Sequence, residues 1–439
     1  MLNNSKIYNS GNWEIKLYIY NFDLIEELYT IDKAKSMTAD SMVISRNILY
    51  FSIDNSIDDF VPKATFKIID NQFAISNKLR RQNTCIHLNV ERLLDNNSNE
   101  DAVTDQKLDL TFIVTNYKIL NFSQESITYE IDCELDTSIL LKRICEYATT
   151  PEKPENPLDI AYSILKNNLY PLYQTEINGN DNSKIQTRWY PPNVDTLVNF
   201  ITYQNMTISD ALKYLLSITG ENCESPIYLI HNLTDNKGFF SSRAHLLRDE
   251  WLMDAPTVTK IPFNFATNLI GPSHNMKFLR SNGEVGGAET TKLMSNYMFS
   301  NYNHLDRTWS DTFFNREAIN DALTDFKRPE ETSLLHYNSI SDIDYNYEFI
   351  PYSEQYINDV MRDLDLYSSS IQFTVDGNLK LDVGEMIEFS EMVQDTAKKE
   401  QFYGFWLISK VRHSFKDQLF KTNIVCTRIT FLEHKALKN

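Results

Sequence analysis

Apolar and polar residues alternate along residues 12–140, and this alternation predicts β-strands. The clearest run places apolar residues at every second position from 127 to 135: Ile127, Tyr129, Ile131, Cys133 and Leu135. A period of two puts these side chains on one face of a strand. Because the intervening positions are polar, we expect an antiparallel sheet with one face in water. Polar turn clusters separate the runs, which is typical of a small barrel or sandwich.

After about residue 140, the spacing of apolar residues changes to that of a helix. Asn156 and Pro157 predict the start of one helix, and Pro171 predicts its end. The sequence Thr-Ile-Ser-Asp at 207–210 resembles a capping box and predicts the start of a second helix. Gly220 lies where a left-handed residue would terminate that helix. Further along the chain, the spacing of apolar residues predicts helices at 313–326 and 353–366, followed by strands to the end.

Two segments of the chain carry the same pattern at a constant spacing of 293 residues. Each reads as two long strands joined by a polar turn, and four matches stand out: Phe112 with Phe405, Phe122 with Phe415, Ile131 with Ile424, and Cys133 with Cys426. Upstream, residues 86–88 have a counterpart in 387–389. Two interpretations are open, because alternation alone forces apolar positions onto each other and a duplicated β-domain split by inserts gives the same result. Duplication predicts that Cys133 and Cys426 occupy equivalent buried positions.

The sequence around the second copy resembles a known family. Residues 373–389, 404–415 and 422–428 are similar to the hub proteins of tailed-bacteriophage baseplates and to the related hub part of type VI secretion spike trimers. The resemblance implies an α+β fold, mainly antiparallel β, with two tube-like β-barrel domains and helical insertions. It implies a first tube-like domain at 1–140, a helical insert at 141–222 and a second tube-like domain at 339–439. Residues 223–338 form a mixed α/β region whose strands are open to assignment to either β-domain.

The function implied by this resemblance is that of a structural virion protein. A homotrimer would present six tube-like domains as a pseudo-sixfold ring, which joins the tail tube to the central spike and lets DNA pass. The implied partners are the tail tube protein, the central spike protein and other baseplate proteins, with the tape measure protein as a further candidate. The implied location is the tail baseplate of the virion, after assembly in the cytoplasm of the bacterial host.

Composition narrows the range of partners. The chain has 439 residues, enough for about three domains. Its 42 basic and 60 acidic residues give a net charge of −18. This charge argues against a surface that grips nucleic acid or anionic lipid, and it fits a channel that DNA passes without binding. Ordinary solubility accounts for the same charge equally well. The N-terminus lacks a signal-peptide pattern, and no apolar run is long enough to span a membrane, so we expect a soluble product made in a cytoplasm.

Candidate chemistry is sparse. The five cysteines include no CxxC pair and the eight histidines are scattered, so we expect buried thiols, no disulfides and no metal site. The loop at 54–59 lacks the glycine and glutamate of a calcium loop, and the glycine cluster at 283–292 lacks a phosphate-binding Gly-Lys-Ser/Thr ending. We therefore predict no catalytic residues, no cofactor and no enzymatic activity. The alternative is a tail-associated enzyme that hydrolyses cell-wall glycan or peptide, since carboxylate pairs such as Asp342 with Asp344 are compatible with that chemistry.

Overall fold

The computed structural model gives the placement of the chain in separate ranges. The described residues are 9–10, 13–22, 42–71, 73–81, 83–93, 104–150, 153–173, 185–187, 197–221, 225–234, 236–242, 259–264, 269–270, 274–280, 296–303, 308–314, 334–341, 369–390, 404–417 and 419–428. The helix predicted at 353–366 lies outside them. Of the helix predicted at 313–326, only the first two residues are described, and they end a strand.

Strands dominate these ranges. In chain order, β1 to β11 are Asn9–Ser10, Trp13–Asn21, Met42–Val43, Ile48–Ser56, Lys63–Asp70, Thr84–Leu93, Thr104–Phe122, Ile127–Leu135, Ile185–Thr187, Gly220–Glu221 and Ser225–Asn232. The strands β12 to β22 are Lys237–Ser242, Thr259–Asn264, Leu269–Ile270, His274–Arg280, Asn296–Asn303, Thr308–Phe314, Leu334–Ser341, Ser369–Asp376, Met386–Ser390, Gly404–Lys416 and Leu419–Arg428. The prediction of a mainly antiparallel β protein is confirmed.

The two longest helices begin where the sequence predicts. Other helical segments are short: Ser45–Asn47, Ala74–Leu79 and Ser138–Leu141. The helix Pro157–Tyr173 begins with the Leu158 N–H donating to Asn156 Oδ1 at 2.8 Å. Its predicted end at Pro171 is wrong by two residues, since the helix continues to Tyr173.

The second long helix confirms the capping box but not its predicted terminator. In the helix Ile208–Ser217, Thr207 Oγ1 accepts from the Asp210 N–H at 3.1 Å and donates to the Asp210 carboxylate at 2.7 Å. The helix ends at Ile218 without a left-handed residue. Gly220 instead begins β10, because the chain turns directly into a strand.

Most of the described strands belong to one sheet of 15. Its order is β1-β2-β6-β7-β8-β5-β4-β21-β20-β13-β14-β15-β19-β22, with β3 paired to β2 and a further pairing between β21 and β22. A four-stranded sheet, β10-β11-β12-β9, and a three-stranded sheet, β17-β16-β18, account for the other described strands.

Apart from β1, the large sheet consists of two seven-strand sets with matching connectivity. We call β2 to β8 the first unit, and β13, β14, β15, β19, β20, β21 and β22 the second unit, taken in chain order. The first unit has the strand order β3-β2-β6-β7-β8-β5-β4. The second unit has the order β14-β13-β20-β21-β22-β19-β15. Strands at the same place in these two orders also hold the same rank along the chain within their units. One pairing differs in direction, since β2 runs antiparallel to β6 whereas β13 runs parallel to β20.

The hairpins of the two units confirm one part of the sequence match and correct another. Cys133 and Cys426 are both buried, and each lies opposite the residue that precedes a bulge in the partner strand. The prediction that they occupy equivalent positions in the hairpin is therefore confirmed. The match of Phe112 with Phe405 is wrong, because these registers place Phe112 opposite Leu135 and make Trp406 its counterpart.

A bulge explains why the sequence spacing is one residue off over part of this hairpin. Both first strands bulge at equivalent places, at Thr115 and Ser409, and the spacing between the two copies is 294 throughout Phe112 to Ile119. A second bulge at Leu120, which β21 lacks, restores the spacing of 293 at Phe122 and Phe415. The extra residue twists and disrupts the ladder locally, and the alternation of residue types does not reveal it.

The buried apolar residues form three clusters. The first comes mainly from the first unit, with Phe415 and Phe420 of the second unit joining it, and the second comes mainly from the second unit. The alternating residues of β8 point into the first core, which also contains Phe51, Phe66 and Phe112. Trp406 and Phe373 lie in the second core together with Tyr228 of β11. A third core joins the two long helices to strands β11 and β12. The described cysteines are buried thiols outside any disulfide, namely Cys85, Cys133, Cys145 and Cys426, and Cys223 lies outside the described residues.

Candidate functional site

The two units meet along a ladder between β4 and β21. Seven residue pairs run antiparallel, from Tyr50 with Lys416 to Ser56 with Lys410. On the polar face, Arg412 Nε donates to the Asp54 carboxylate, and this bond raises the pKa of the guanidinium. On the apolar face, the rings of Phe51 and Phe415 stack with centroids 5.7 Å apart. The junction therefore combines main-chain pairing with contacts on both faces of the sheet.

A buried carboxylate ties the same junction to the β11–β12 hairpin. Asp382, between β19 and β20, accepts hydrogen bonds from the Leu233 N–H at 2.5 Å, the Val383 N–H at 2.7 Å and Asn55 Nδ2 at 2.9 Å. Asn55 Nδ2 also donates to the His231 carbonyl at 2.7 Å. Burial raises the pKa of Asp382 to about 7, although its hydrogen bonds act in the opposite direction. One carboxylate thus holds together segments from both units and from the β11–β12 hairpin.

The loop that carries Asp382 has two further anchors. The Leu379 N–H donates to Gln106 Oε1 of β7 at 2.7 Å, and Thr234 Oγ1 donates to the Leu379 carbonyl at 3.0 Å. The loop ends at Gly384, whose positive φ of 83° suits glycine, and the Gly384 N–H donates to the Ile408 carbonyl at 3.0 Å. This glycine thus ends the loop just before β20 begins at Met386.

The second half of β7 presents an edge without a paired strand among the described residues. Strand β6 pairs with β7 only as far as Ile113, whereas β8 follows the other edge of β7 to Phe122. Every residue from 115 to 122 is exposed, including four large apolar side chains: Tyr117, Ile119, Leu120 and Phe122. A long apolar edge in water is a ready template for pairing with another chain.

The equivalent stretch of the second unit shows what such an edge looks like when it is covered. Ile119 is 54% exposed, whereas its counterpart His413 is 0% exposed. Phe122 is 68% exposed, whereas its counterpart Phe415 is 2% exposed. This difference in exposure coincides with the presence of a partner strand. Strand β4 pairs with residues 410–416, whereas no described strand pairs with 116–122 on the equivalent side. Sequence periodicity assigned apolar residues to both hairpins but gave no sign that one edge is open.

Where the structure describes them, the residues that the sequence singled out for chemistry are not gathered into a site. Asp54 and Asn55 of the rejected calcium loop belong to the junction between the units. The glycine cluster at 283–292 and the pair Asp342 with Asp344 lie outside the described residues. Within the described part of the chain, no group of three or more His, Cys, Asp or Glu residues is arranged to hold a metal ion. The described helices include none that is long and apolar enough to cross a membrane.

Comparison with known proteins finds similarity in structure rather than in sequence. No protein-family model matches the chain, and no curated protein matches it significantly. The 43 kDa tail protein of prophage MuSo2 from Shewanella oneidensis aligns over 94% of this chain and 98% of its own, with a TM-score of 0.50 and 10% identity. A tail protein from Neisseria meningitidis aligns over 96% of this chain and 99% of its own, with a TM-score of 0.49 and 9% identity.

A further similarity connects the fold to secretion spikes. A chain of the PdpA–VgrG complex of Francisella aligns over 95% of this chain and 58% of its own, with a TM-score of 0.50 and 12% identity. The fold is therefore that of phage tail proteins and of proteins in type VI-like spike complexes. The resemblance inferred from the sequence is confirmed at the level of the fold.

Proposed function

We propose that the protein is a structural component of a phage tail, a baseplate hub that assembles as a homotrimer and joins the tail tube to the central spike. The observation that carries this proposal is the repeated seven-strand connectivity, because each chain contributes two similar β units. Three chains would supply six units around one axis. A ring of this kind matches a sixfold tube on one side and a threefold spike on the other.

We further propose that each unit closes into a tube-like barrel. In the second unit, β22 pairs with both β19 and β21, and β14 pairs with both β13 and β15, which supports closure. In the first unit, the Ser45 hydroxyl bonds to both the N–H and the carbonyl of Leu17, so it ties the start of β4 back to β2.

The same strands support the domain boundaries that we propose. Residues 1–140 would form the first tube-like domain and 141–222 the helical insert. Strands β13, β14 and β15 pair within the second unit, so we propose that part of the 223–338 region contributes strands to the second tube-like domain alongside 339–439.

The proposed ring works through its interfaces and has no catalytic site. The tail tube protein would dock on one face, the central spike on the other, and other baseplate proteins or the tape measure protein around them. The net charge of −18 supports a channel that repels phosphate, so DNA would pass through without specific binding. The virion tail would be its location, after assembly in the host cytoplasm.

Two measurements test this function. Sedimentation of the purified protein should give three times the 51.2 kDa of one chain, and end-on electron microscope images should show six lobes around a hole. Particles of another symmetry would refute the hub. Incubation with purified peptidoglycan should release no soluble fragments, and fragment release above a heat-inactivated control would favour the hydrolase alternative.

A further inference from the structure

Equivalent strand edges of the two units differ in their pairing. One edge is paired with a strand of the other unit, and the other edge has no paired strand among the described residues. In the second unit, the edge of β21 at 410–416 is covered by β4 of the first unit. The pairing registers of the two hairpins make 116–122 of β7 the equivalent stretch of the first unit. That stretch is exposed and apolar, as described above. Its counterpart at 410–416 pairs with β4, and Phe415 packs there against Phe51 in the first core.

The strand that would cover this edge can also be identified. In the first unit, β4 is the strand next to β5, and Phe51 pairs with Phe66. In the second unit, β15 is the strand next to β19, and Met276 pairs with Phe373. Phe66 and Phe373 are themselves equivalent, since they lie opposite Ile131 and Ile424. Strand β15 is thus the counterpart of β4.

Strand β15 has an edge at the required place that no described strand pairs with. Residues Met276 to Arg280 pair with β19 on one side, while β14 pairs only with His274 and Asn275 on the other. Within the described residues, the second side of 276–280 carries no strand. In β4 the corresponding side is the one that pairs with β21. The chain therefore carries both halves of a second junction, on different units.

We infer that β7 of one copy pairs antiparallel with β15 of a second copy and repeats the junction that β21 and β4 make within the chain. The register follows from the internal ladder, in which Phe415 faces Phe51, Ser414 faces Ser52 and His413 faces Ile53. The equivalent pairs between copies are Phe122 with Met276, Asn121 with Lys277, and Ile119 with Phe278. The apolar residues at 119 and 122 would thereby be covered.

This inference rests on the proposed hub and specifies the contact through which its copies would close into a ring. The contact joins two different surfaces, so it is heterologous and forms a ring when the rotation between copies closes. Internal and intermolecular junctions would alternate around that ring, and the units would all be joined by the same kind of ladder. The occupant of the β7 edge is thus a second copy of this chain.

Cysteine cross-linking of the full-length protein tests the register. At the end of the internal ladder the Ile57 N–H donates to the Ser409 carbonyl at 2.9 Å, so alternation makes Ser52 and Ser414 a pair without mutual hydrogen bonds. The equivalent pair between copies is Asn121 with Lys277, at a separation suited to a disulfide. The double variant N121C/K277C should form covalent dimers and trimers under mild oxidation. The single variants N121C and K277C, which retain the native cysteines, should stay uncrosslinked.

Charge substitution on the edge tests the energetics of the contact. I119E and F122E alter exposed side chains, so both variants should keep the circular dichroism spectrum of the parent. Each should weaken self-association at least about 30-fold in sedimentation equilibrium, as expected for a central contact residue. Leu419→Glu is the matched control, because Leu419 is 56% exposed near the turn of the equivalent hairpin, whose edge β4 already covers.

The outcomes separate the pairing from the proposed function. A trimer that tolerates I119E and F122E and gives no cross-link in N121C/K277C would overturn the strand pairing and leave the hub intact. A parent protein that stays monomeric at all concentrations, again without cross-linking, would overturn both. A trimer that dissociates in the two edge variants and cross-links only in the double variant would support both.

Discussion

Asp382 should make the stability of this protein fall as the pH rises from about 4 to about 7. Its carboxylate is buried at the meeting point of both units and the β11–β12 hairpin, and burial raises its pKa to about 7. An unfolded aspartate titrates near pH ~4. The folded protein therefore keeps a proton that the unfolded chain releases. The stabilisation linked to this proton is fully present below pH ~4 and is lost as the pH rises through the folded pKa.

The size of the effect follows from the difference between the two pKa values. A difference of roughly three units, at about 1.4 kcal/mol per unit, gives about 4 kcal/mol across this range. The side-chain amide in the variant D382N cannot titrate. The difference in free energy of unfolding between the parent and D382N should therefore change by about 4 kcal/mol between pH 4 and pH 8, with the parent relatively more stable at low pH.

Urea unfolding followed by tryptophan fluorescence measures this difference, since Trp406 lies in the core of the second unit. The control E146Q makes the same carboxylate-to-amide change at an exposed side chain. A parent–D382N difference that stays constant within about 1 kcal/mol from pH 4 to pH 8 would show that Asp382 is charged in the folded protein at pH 4. The desolvation argument would then be wrong.

Three further predictions concern single sites. G377A should lose about 1–3 kcal/mol in urea unfolding, because a Cβ there would lie 2.0 Å from Phe420 Cδ1; unchanged stability would mean that the ring moves freely. T207A should lose about 1 kcal/mol of unfolding free energy, because it removes the hydroxyl that accepts the Asp210 N–H at the start of the helix. T207S keeps a hydroxyl and should restore the stability. Equal losses in both variants would exclude the hydroxyl as the cause. Burial lowers the pKa of His413 to about 3, so the parent should lose about 2 kcal/mol between pH 7 and pH 5 relative to H413N, and a pH-independent difference would contradict this.

The sequence predicted local structure where one pattern decides it. The alternation in β8 gave a strand with one buried face, and the Thr207 cap gave the start of a helix, because each depends on neighbouring residues. Pairing with distant strands was harder to infer. Strand β13 contains Pro262, which argues against a central strand, and it nevertheless pairs parallel with β20.

The exposed edge of β7 likewise combines features that neighbouring residues determine with features that depend on distant strands. The apolar residues of the β7 edge were visible in the sequence, yet nothing local distinguished them from the buried residues of β21. Exposure depends on whether a strand from elsewhere lies alongside, and Asp54 reaches Arg412 only through the fold. The bulge at Leu120 likewise shifted the true alignment by one residue without changing the pattern.

The β4–β21 ladder also has a consequence for synthesis of the chain. Arg412 follows Asp54 by 358 residues, so at about 5–20 residues per second β4 waits roughly 20–70 s on the ribosome before its partner emerges. During that time the nascent first unit can fold around its own core while one of its strand edges remains open to neighbouring nascent chains. A chain terminated before residue 410 would keep that edge open permanently. Such a fragment should aggregate, and only translation through to the last hairpin should yield soluble protein.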